Sequence, residues 1–314
     1  MARSQPGPVF IIGAARSGTN MLGSIFNMHP DTFYTGENNY VWRIGNAGLK
    51  TDVIPRTALN PRICQAIRNR FRVPRDRMLV EKTAANSLRL PFILKVFPSA
   101  RIVHIVRDGR DVAVSAREKW QGRYSVFEKE ELGYGSRRKA MVFRIWKRML
   151  SRDISIWNIH NYLTTGLGMI KSVMGLSNFS IWGPQFPGIQ ELSESHSLIE
   201  VCAFQWLSSV ESVMNFHKNN PSVPYLEVKY ETLTTSPRSE IARVYDFCGL
   251  EDPENIETII ESVKSGNTMK WVNQLTGEEI DELHNIIYVM LELFDYPLNK
   301  EEVRTTRGEM RNTV

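Results

Sequence analysis

The stretch PVFIIGAARSGTNMLGSIFNMHP, residues 8–30, decides how the rest of the chain reads. An apolar run meets a glycine-bearing turn. Met21, Leu22, Ile25, Phe26 and Met28 then recur at helical spacing until His29-Pro30 ends the segment. This is the strand–turn–helix outline of a loop that cradles an anion on main-chain N–H groups at a helix start. Set against G-x-x-x-x-G-K-[ST], Gly13 and Gly18 fill the glycine places. Thr19 stands where a lysine would reach a triphosphate, and Asn20 where a hydroxyl would hold magnesium.

The main-chain donors therefore survive while the metal handle is gone. Ser17 and Thr19 add hydroxyls, and Arg16 adds a fixed charge with a fork of N–H groups. Transfer from a triphosphate needs a divalent ion because several anionic oxygens crowd together. A sulfuryl group carries less charge and can be handled by main-chain dipoles and one or two cations. The loop suits a nucleotide phosphosulfate better than a magnesium nucleotide.

Outward from the loop, VFIIG, RMLVEKT, ARIVHIV and VPYLEVKY read as strands. NSLRLPFILKVFP reads as a helix with Pro91 in its first turn, and DGRDVAVSAREKW opens another. SPRSEIARVYDFCGL, PENIETIIESV and TGEEIDELHNIIYVMLELF complete the helices, Gly249 closing the first of them. Strands alternating with helices predict an α/β fold with a parallel sheet covered on both faces. Residues 121 to about 200 interrupt the alternation. They run from polar through basic to glycine- and aromatic-rich, and read as a mainly helical insertion on the acceptor side of one domain spanning 1–300. The last residues, 301–314, read as a disordered tail.

With 314 residues, 42% of them apolar and 23% charged, the chain has an ordinary globular balance. A net charge of +5 suits an anionic ligand and is too small to argue for nucleic acid. Cys64, Cys202 and Cys248 are far apart and form no C-x-x-C pair, which points to free thiols and no zinc site. No apolar run approaches the roughly 18 residues of a spanning helix, and the first residues lack a signal-peptide core. The expected location is cytoplasmic.

ARIVHIVRDGRDVAVSAREKW supplies a second anion grip. Arg107 stands at the carboxyl end of a predicted strand, where open α/β sheets bind ligands. Ser115 follows eight residues later, two turns into a helix. The competing reading is an Arg107–Asp111 surface pair with Ser115 in solvent.

Together, RSGTNML, EKTAANSLRLP (with Lys82, Thr83 and Asn86) and RDGRDVAVS resemble the sulfotransferases that use 3'-phosphoadenosine-5'-phosphosulfate. The likeness is to the branch written R-S-G-T-T-L-L, E-K-T-P-x-N and R-D-P-R-D-x-x-x-S. WGPQFPG, VCAFQW, KYETLTTSP and DFCGLED extend it, in order, from about residue 9 to 296. The resemblance implies a three-layer fold like that of the P-loop NTPases, around a central parallel sheet, with the phosphosulfate nucleotide as co-substrate and no metal. It implies that Arg16, Ser17, Gly18, Thr19 and Asn20 hold the 5'-phosphosulfate, and that Arg107 and Ser115 hold the 3'-phosphate. It also implies that a late basic loop, VKSGNTMKW with Lys264, Gly266 and Lys270, closes over the nucleotide. Asn20 departs from the family's hydroxyl residue, and Gly109 and Ala84 from its prolines.

Sulfuryl transfer to an alcohol or amine needs a base. EKTAAN lacks the histidine that some relatives use, and Glu37 in FYTGENNYVW is the candidate, with Arg16 and Lys82 meeting the charge on the leaving phosphate. Phe33, Tyr34, Tyr40 and Trp42 are expected to desolvate Glu37 and so strengthen it as a base. His29 and His196 come next as base candidates, and His104 reads as a core residue. Trp206 and Trp271 read equally as adenine stackers or core. Trp182 and Phe186 belong to a plausible acceptor pocket or lid. The aromatic-rich run 162–186 tilts the acceptor toward a glycan or lipid-linked hydroxyl and allows a membrane-surface contact. The alternatives are a P-loop kinase of a small metabolite and an inactive nucleotide-binding module.

Overall fold

The computed structural model describes residues 7–74, 76–130, 181–300 and 302. Five parallel strands form one sheet in the order β2-β3-β1-β4-β5: β1 (Val9–Ile12), β2 (Thr32–Tyr34), β3 (Met78–Lys82), β4 (Arg101–Val106) and β5 (Tyr225–Lys229). β1 is central, pairing Val9 with Val80 on one side and with Arg101 on the other. β1, β3 and most of β4 are buried throughout, so apolar residues run on without alternation in β1, in the first three residues of β3 and through most of β4, with Glu81, Lys82 and His104 buried among them.

The helices are α1 (Thr19–Asn27), α2 (Asn39–Trp42), α3 (Pro61–Arg70), α4 (Leu90–Val96), α5 (Gly109–Glu130), α6 (Ile189–Ser195), α7 (Leu198–Asn219), α8 (Tyr230–Thr235), α9 (Pro237–Cys248), α10 (Ile256–Glu261), α11 (Trp271–Gln274) and α12 (Gly277–Leu293). One sheet face, with Val9, Ile11, Val80, Val103 and Ile105, packs on Leu22, Ile25 and Phe26 of α1 and Ile241 and Val244 of α9. The opposite face, with Phe10, Ile12, Leu79 and Ile102, packs on Trp42, Ile67, Phe92 and Val213. Beyond the strand ends α5, α7 and α12 share a further core through Val112, Ala113, Trp206 and Ile287. Three layers result because every element has one apolar face to hide.

β2 and the helices α2, α3, α6, α7, α8 and α11 are absent from the sequence reading. β2 has three residues, too few for a periodic signal. Residues 121–130 continue α5, and α6 and α7 begin within 181–200, so the edges of the expected insertion are ordinary helices of the fold. Its centre, 131–180, lies outside the described residues, as do His160, residues 162–180 of the aromatic-rich run, and all of 301–314 except 302. Pro91 sits in the first turn of α4 as expected, after a 3-10 turn over Ala84–Leu88.

Candidate active site

Four strand ends deliver the site to one edge of the sheet. After β1, Gly13 must be glycine: a Cβ there would lie 2.5 Å from the Ile105 carbonyl oxygen. Gly18 caps α1 in the left-handed region at φ 97°, and a Cβ would meet the Tyr230 ring at 2.4 Å. Arg16 takes φ 78°, a conformation that side chains other than glycine rarely adopt and that functional loops hold under strain. Ser17 is buried, and its Oγ has no hydrogen-bond partner. Thr19 is buried beside it, and Asn20 is exposed.

Arg16 does not point away from the second motif. Its Nε donates to Ser115 Oγ at 3.0 Å, and Arg107 Nη1 donates to the Arg16 carbonyl at 3.1 Å. Arg107 is buried, lies over the Tyr230 ring at 4.6 Å, and leaves its own Nε without a partner. The Arg107–Asp111 pair exists at 3.5 Å, but it is no surface pair, since both side chains are buried, and Ser115 is buried too. Two buried donors without partners, Ser17 Oγ and Arg107 Nε, lie after neighbouring strands, and their chemistry fits an anion.

The RDGRD segment resolves into crossed pairs. Arg110 forks onto Asp108 at 3.0 and 2.8 Å, stacks on Trp271 at 3.8 Å, and holds the Pro297 carbonyl at 2.6 Å. Asp111 receives the main-chain N–H groups of Met269 at 2.7 Å and Trp271 at 3.1 Å. Burial and the nearby Asp108 push its carboxyl above the usual carboxylate range, opposed by Arg107 and the two N–H donors. The late loop 264–270 is thereby brought to the site. Arg107 Nη2 donates to the Asn267 carbonyl, Met269 takes φ 59°, Gly266 takes φ 84°, and Lys264 is exposed. The role of Asp111 was hidden in the sequence, because its partners stand 158 and 160 positions away.

Lys82 ends β3, is buried, and places Nζ 3.4 Å from Glu37 Oε2. Glu37 follows β2 with its side chain 56% exposed, which corrects the expectation of a desolvated carboxylate. The reason is the fate of its aromatic neighbours. Trp42 turns into the core, while Phe33 and Tyr40 are themselves exposed.

The residue before Lys82 in β3 is a buried acid, Glu81. Its oxygens accept from Trp42 Nε1 at 3.0 Å, from the Thr83 hydroxyl, and from Asn86 Nδ2 at 2.8 Å. Burial pushes its carboxyl up to about 7 against the pull of Thr83, Trp42, Arg89 and Lys82. Sequence reasoning missed Glu81, although Thr83 and Asn86 stand in the same motif.

The histidines and tryptophans sort cleanly. His29 is buried and uses both ring nitrogens, on the Glu251 carbonyl at 3.0 Å and the Asp31 N–H at 3.1 Å, which removes it as a base. His196 is exposed beside Ser195 Oγ at 2.9 Å. His104 is a core residue on Tyr225 at 2.7 Å, and burial lowers it to about 3. Trp206 and Trp271 are both fully buried, which ends their candidacy as adenine stackers. Trp206 Nε1 instead holds the Arg107 carbonyl at 3.0 Å. Trp182 is half-buried, its carbonyl held by Gln205 Nε2 at 2.7 Å, and Phe186 packs with Leu88, Ile189 and Val201.

The sequence profile of the sulfotransferase family matches residues 8–160 and 176–254. The chain belongs to the sulfotransferase family. The matched ranges take in the anion loop, Glu37, Lys82, Arg107 and Ser115, and stop short of the late loop. A curated relative, "Putative protein-tyrosine sulfotransferase" of Caenorhabditis briggsae, is 28% identical over 124 residues, covering 35% of this sulfotransferase chain and 43% of its own. The chain thus spans less than half the length of that relative. Among solved structures, the sulfotransferase domain from the curacin biosynthetic pathway is 14% identical with a TM-score of 0.44, covering 97% of this chain and 98% of its own. Mouse sulfotransferase SULT7A1 complexed with PAP has the same identity and TM-score, with coverages of 91% and 86%. Sulfotransferase STF9 of Mycobacterium avium is 11% identical at 0.46, with coverages of 94% and 78%.

Proposed function

We propose that this sulfotransferase moves the sulfuryl group of 3'-phosphoadenosine-5'-phosphosulfate to a hydroxyl or amine acceptor and releases adenosine 3',5'-bisphosphate. The observation that carries the reading is the contact of Arg16 with Ser115, which brings the anion loop and the Arg107 strand end together. The orphaned Ser17 Oγ and Arg107 Nε suit an anionic nucleotide. Ser17, Gly18, Thr19 and Asn20 would hold the 5'-phosphosulfate, and Arg107 and Ser115 the 3'-phosphate. Lys264, Gly266 and Lys270 would close over it from the loop that Asp111 clips.

Glu37 would accept the acceptor's proton as its oxygen or nitrogen bonds to sulfur and the bond from sulfur to the phosphate oxygen breaks. Arg16 and Lys82 would meet the charge that gathers on the departing phosphate. Exposure of Glu37 keeps it reachable by an acceptor from solvent. Among the described residues no group of side chains could hold a metal ion, and no helix is long and apolar enough to cross a membrane. The three free thiols support a reducing, cytoplasmic location. We take 1–300 as one catalytic domain.

For the acceptor, the name of the curated relative favours a peptide tyrosine. A glycan or lipid-linked hydroxyl rests on residues 162–186 alone. The deciding experiment offers sulfur-labelled donor with a tyrosine-containing peptide, an alkyl glycoside and a simple phenol, and reads gain of one sulfuryl group by mass spectrometry. Transfer to one class, undiminished by EDTA, is expected. Bisphosphate binding with no transfer to any would point to an inactive nucleotide-binding module, and transfer dependent on magnesium and ATP to a kinase.

A further inference from the structure

The Glu37 side chain reaches into solvent. Its neighbour Gly36 takes φ 69° with open space where a Cβ would be, and its own carboxylate is more than half exposed. Such a residue would sample many positions, yet a base must stay within reach of one proton.

The structure contains a device that restrains it. On the near side, Thr35 N donates to the Val80 carbonyl at 3.0 Å, and Lys82 N to the Gly36 carbonyl at 3.3 Å, so β3 carries the loop as far as Gly36. On the far side, Asn38 N donates to Thr83 Oγ1 at 2.9 Å. The Asn38 amide then folds back to the carbonyls of Thr35 and Gly36, both at 3.0 Å, closing a tight loop around Glu37.

A hydroxyl has one hydrogen. Thr83 gives its hydrogen to Glu81 and so presents a lone pair to the Asn38 N–H. Glu81 is itself immobile: it is buried and accepts from Trp42 and Asn86, and Asn86 Oδ1 accepts from Arg89 Nε at 3.0 Å. Arg89 in turn donates to Asn39 on α2, the element that begins where the Glu37 loop ends. The polar groups thus form a closed circuit around residues 36–39, built almost wholly inside the protein.

We propose that Thr83 and Glu81 are positioning residues: Glu81 orients the Thr83 hydroxyl, and Thr83 pins Asn38 so that Glu37 stays over Lys82. The inference rests on the reading of Glu37 as the base. It assigns a task to the Thr83 hydroxyl separate from nucleotide binding, and it explains why an acid is buried beneath the site.

The test uses the full chain and two readouts. Hydrogen exchange of the Asn38 amide, read by NMR without any acceptor, should accelerate at least tenfold in Thr83→Val and return to the wild-type rate in Thr83→Ser. With the tyrosine-containing peptide as acceptor, Thr83→Val should lower kcat about tenfold, the scale of one lost neutral hydrogen bond, leaving the Kd for adenosine 3',5'-bisphosphate unchanged. Thr83→Ala, which removes the hydroxyl without setting a methyl group against Glu81, should lower kcat in the same direction and serves if Thr83→Val folds poorly. Added to Glu37→Gln, Thr83→Val should cost nothing more. Unchanged Asn38 exchange in Thr83→Val overturns the proposal. So does wild-type kcat in Thr83→Val and Thr83→Ala while Glu37→Gln is inactive. A fully active Glu37→Gln overturns the base reading and the positioning role with it.

Discussion

Arg16 and Ser115, ninety-nine positions apart, are joined by a 3.0 Å hydrogen bond from Nε to Oγ. The bond closes the anion loop onto the second turn of α5, and the Arg107 guanidinium reinforces it from below by holding the Arg16 carbonyl. Two anion grips that are distant in sequence are one surface in space. Arg16→Ala should lower turnover about 100-fold, the cost of a missing oxyanion donor. Ser115→Ala should weaken bisphosphate binding, and a double-mutant cycle between the two should show coupling of about 1 kcal/mol. Isothermal calorimetry and steady-state kinetics read both. Additive losses would mean that the bond does no work.

Gly18→Ala is expected to be worse than its size suggests. The new methyl would enter the Tyr230 ring, and the backbone there sits at φ 97°. Strain of about 1–3 kcal/mol should appear as a lower Tm, together with loss of bisphosphate binding. Gly266→Ala, also at positive φ but facing open space, should lose only the smaller conformational part.

Asp111 holds two amides of the late loop with two oxygens. Asparagine can accept at only one of them. Asp111→Asn should therefore loosen the loop and raise the Kd for bisphosphate about tenfold, by the loss of roughly 1–2 kcal/mol. Limited proteolysis near residue 266 should speed up in parallel. Unchanged affinity and cleavage would remove Asp111 from nucleotide binding.

Glu81 makes a pH prediction. Its folded value of about 7 lies above its ordinary 4.5, so between those limits the folded protein holds a proton that the unfolded chain releases. The contribution to stability is complete below about 4.5 and is lost as pH rises through 7. The span is worth on the order of 3 kcal/mol at most. Tm should fall from pH 5 to pH 8, and Glu81→Gln should flatten that slope. Burial pushes Asp111 and Glu231 in the same direction, so the difference between the two proteins is the quantity to read. A slope unaffected by Glu81→Gln would show that its proton is not linked to folding.

The sequence by itself determined the βα unit of residues 8–30, the strands at 78–82, 101–106 and 225–229, and the parallel sheet. Each of these follows from local periodicity and from glycines whose backbone admits no side chain. It also placed Arg16 in the turn after the first strand and Arg107 at a strand end, because motif and strand boundary coincide in the chain. Tertiary structure alone decided that Arg16 meets Ser115, that Asp111 clips a loop 158 positions away, and that Trp206 and Trp271 are core. It also turned Trp42 inward and left Glu37 exposed. The division has one cause. Periodicity records which face of an element is apolar, whereas the partner and the burial of a polar side chain depend on elements brought beside it from elsewhere in the chain.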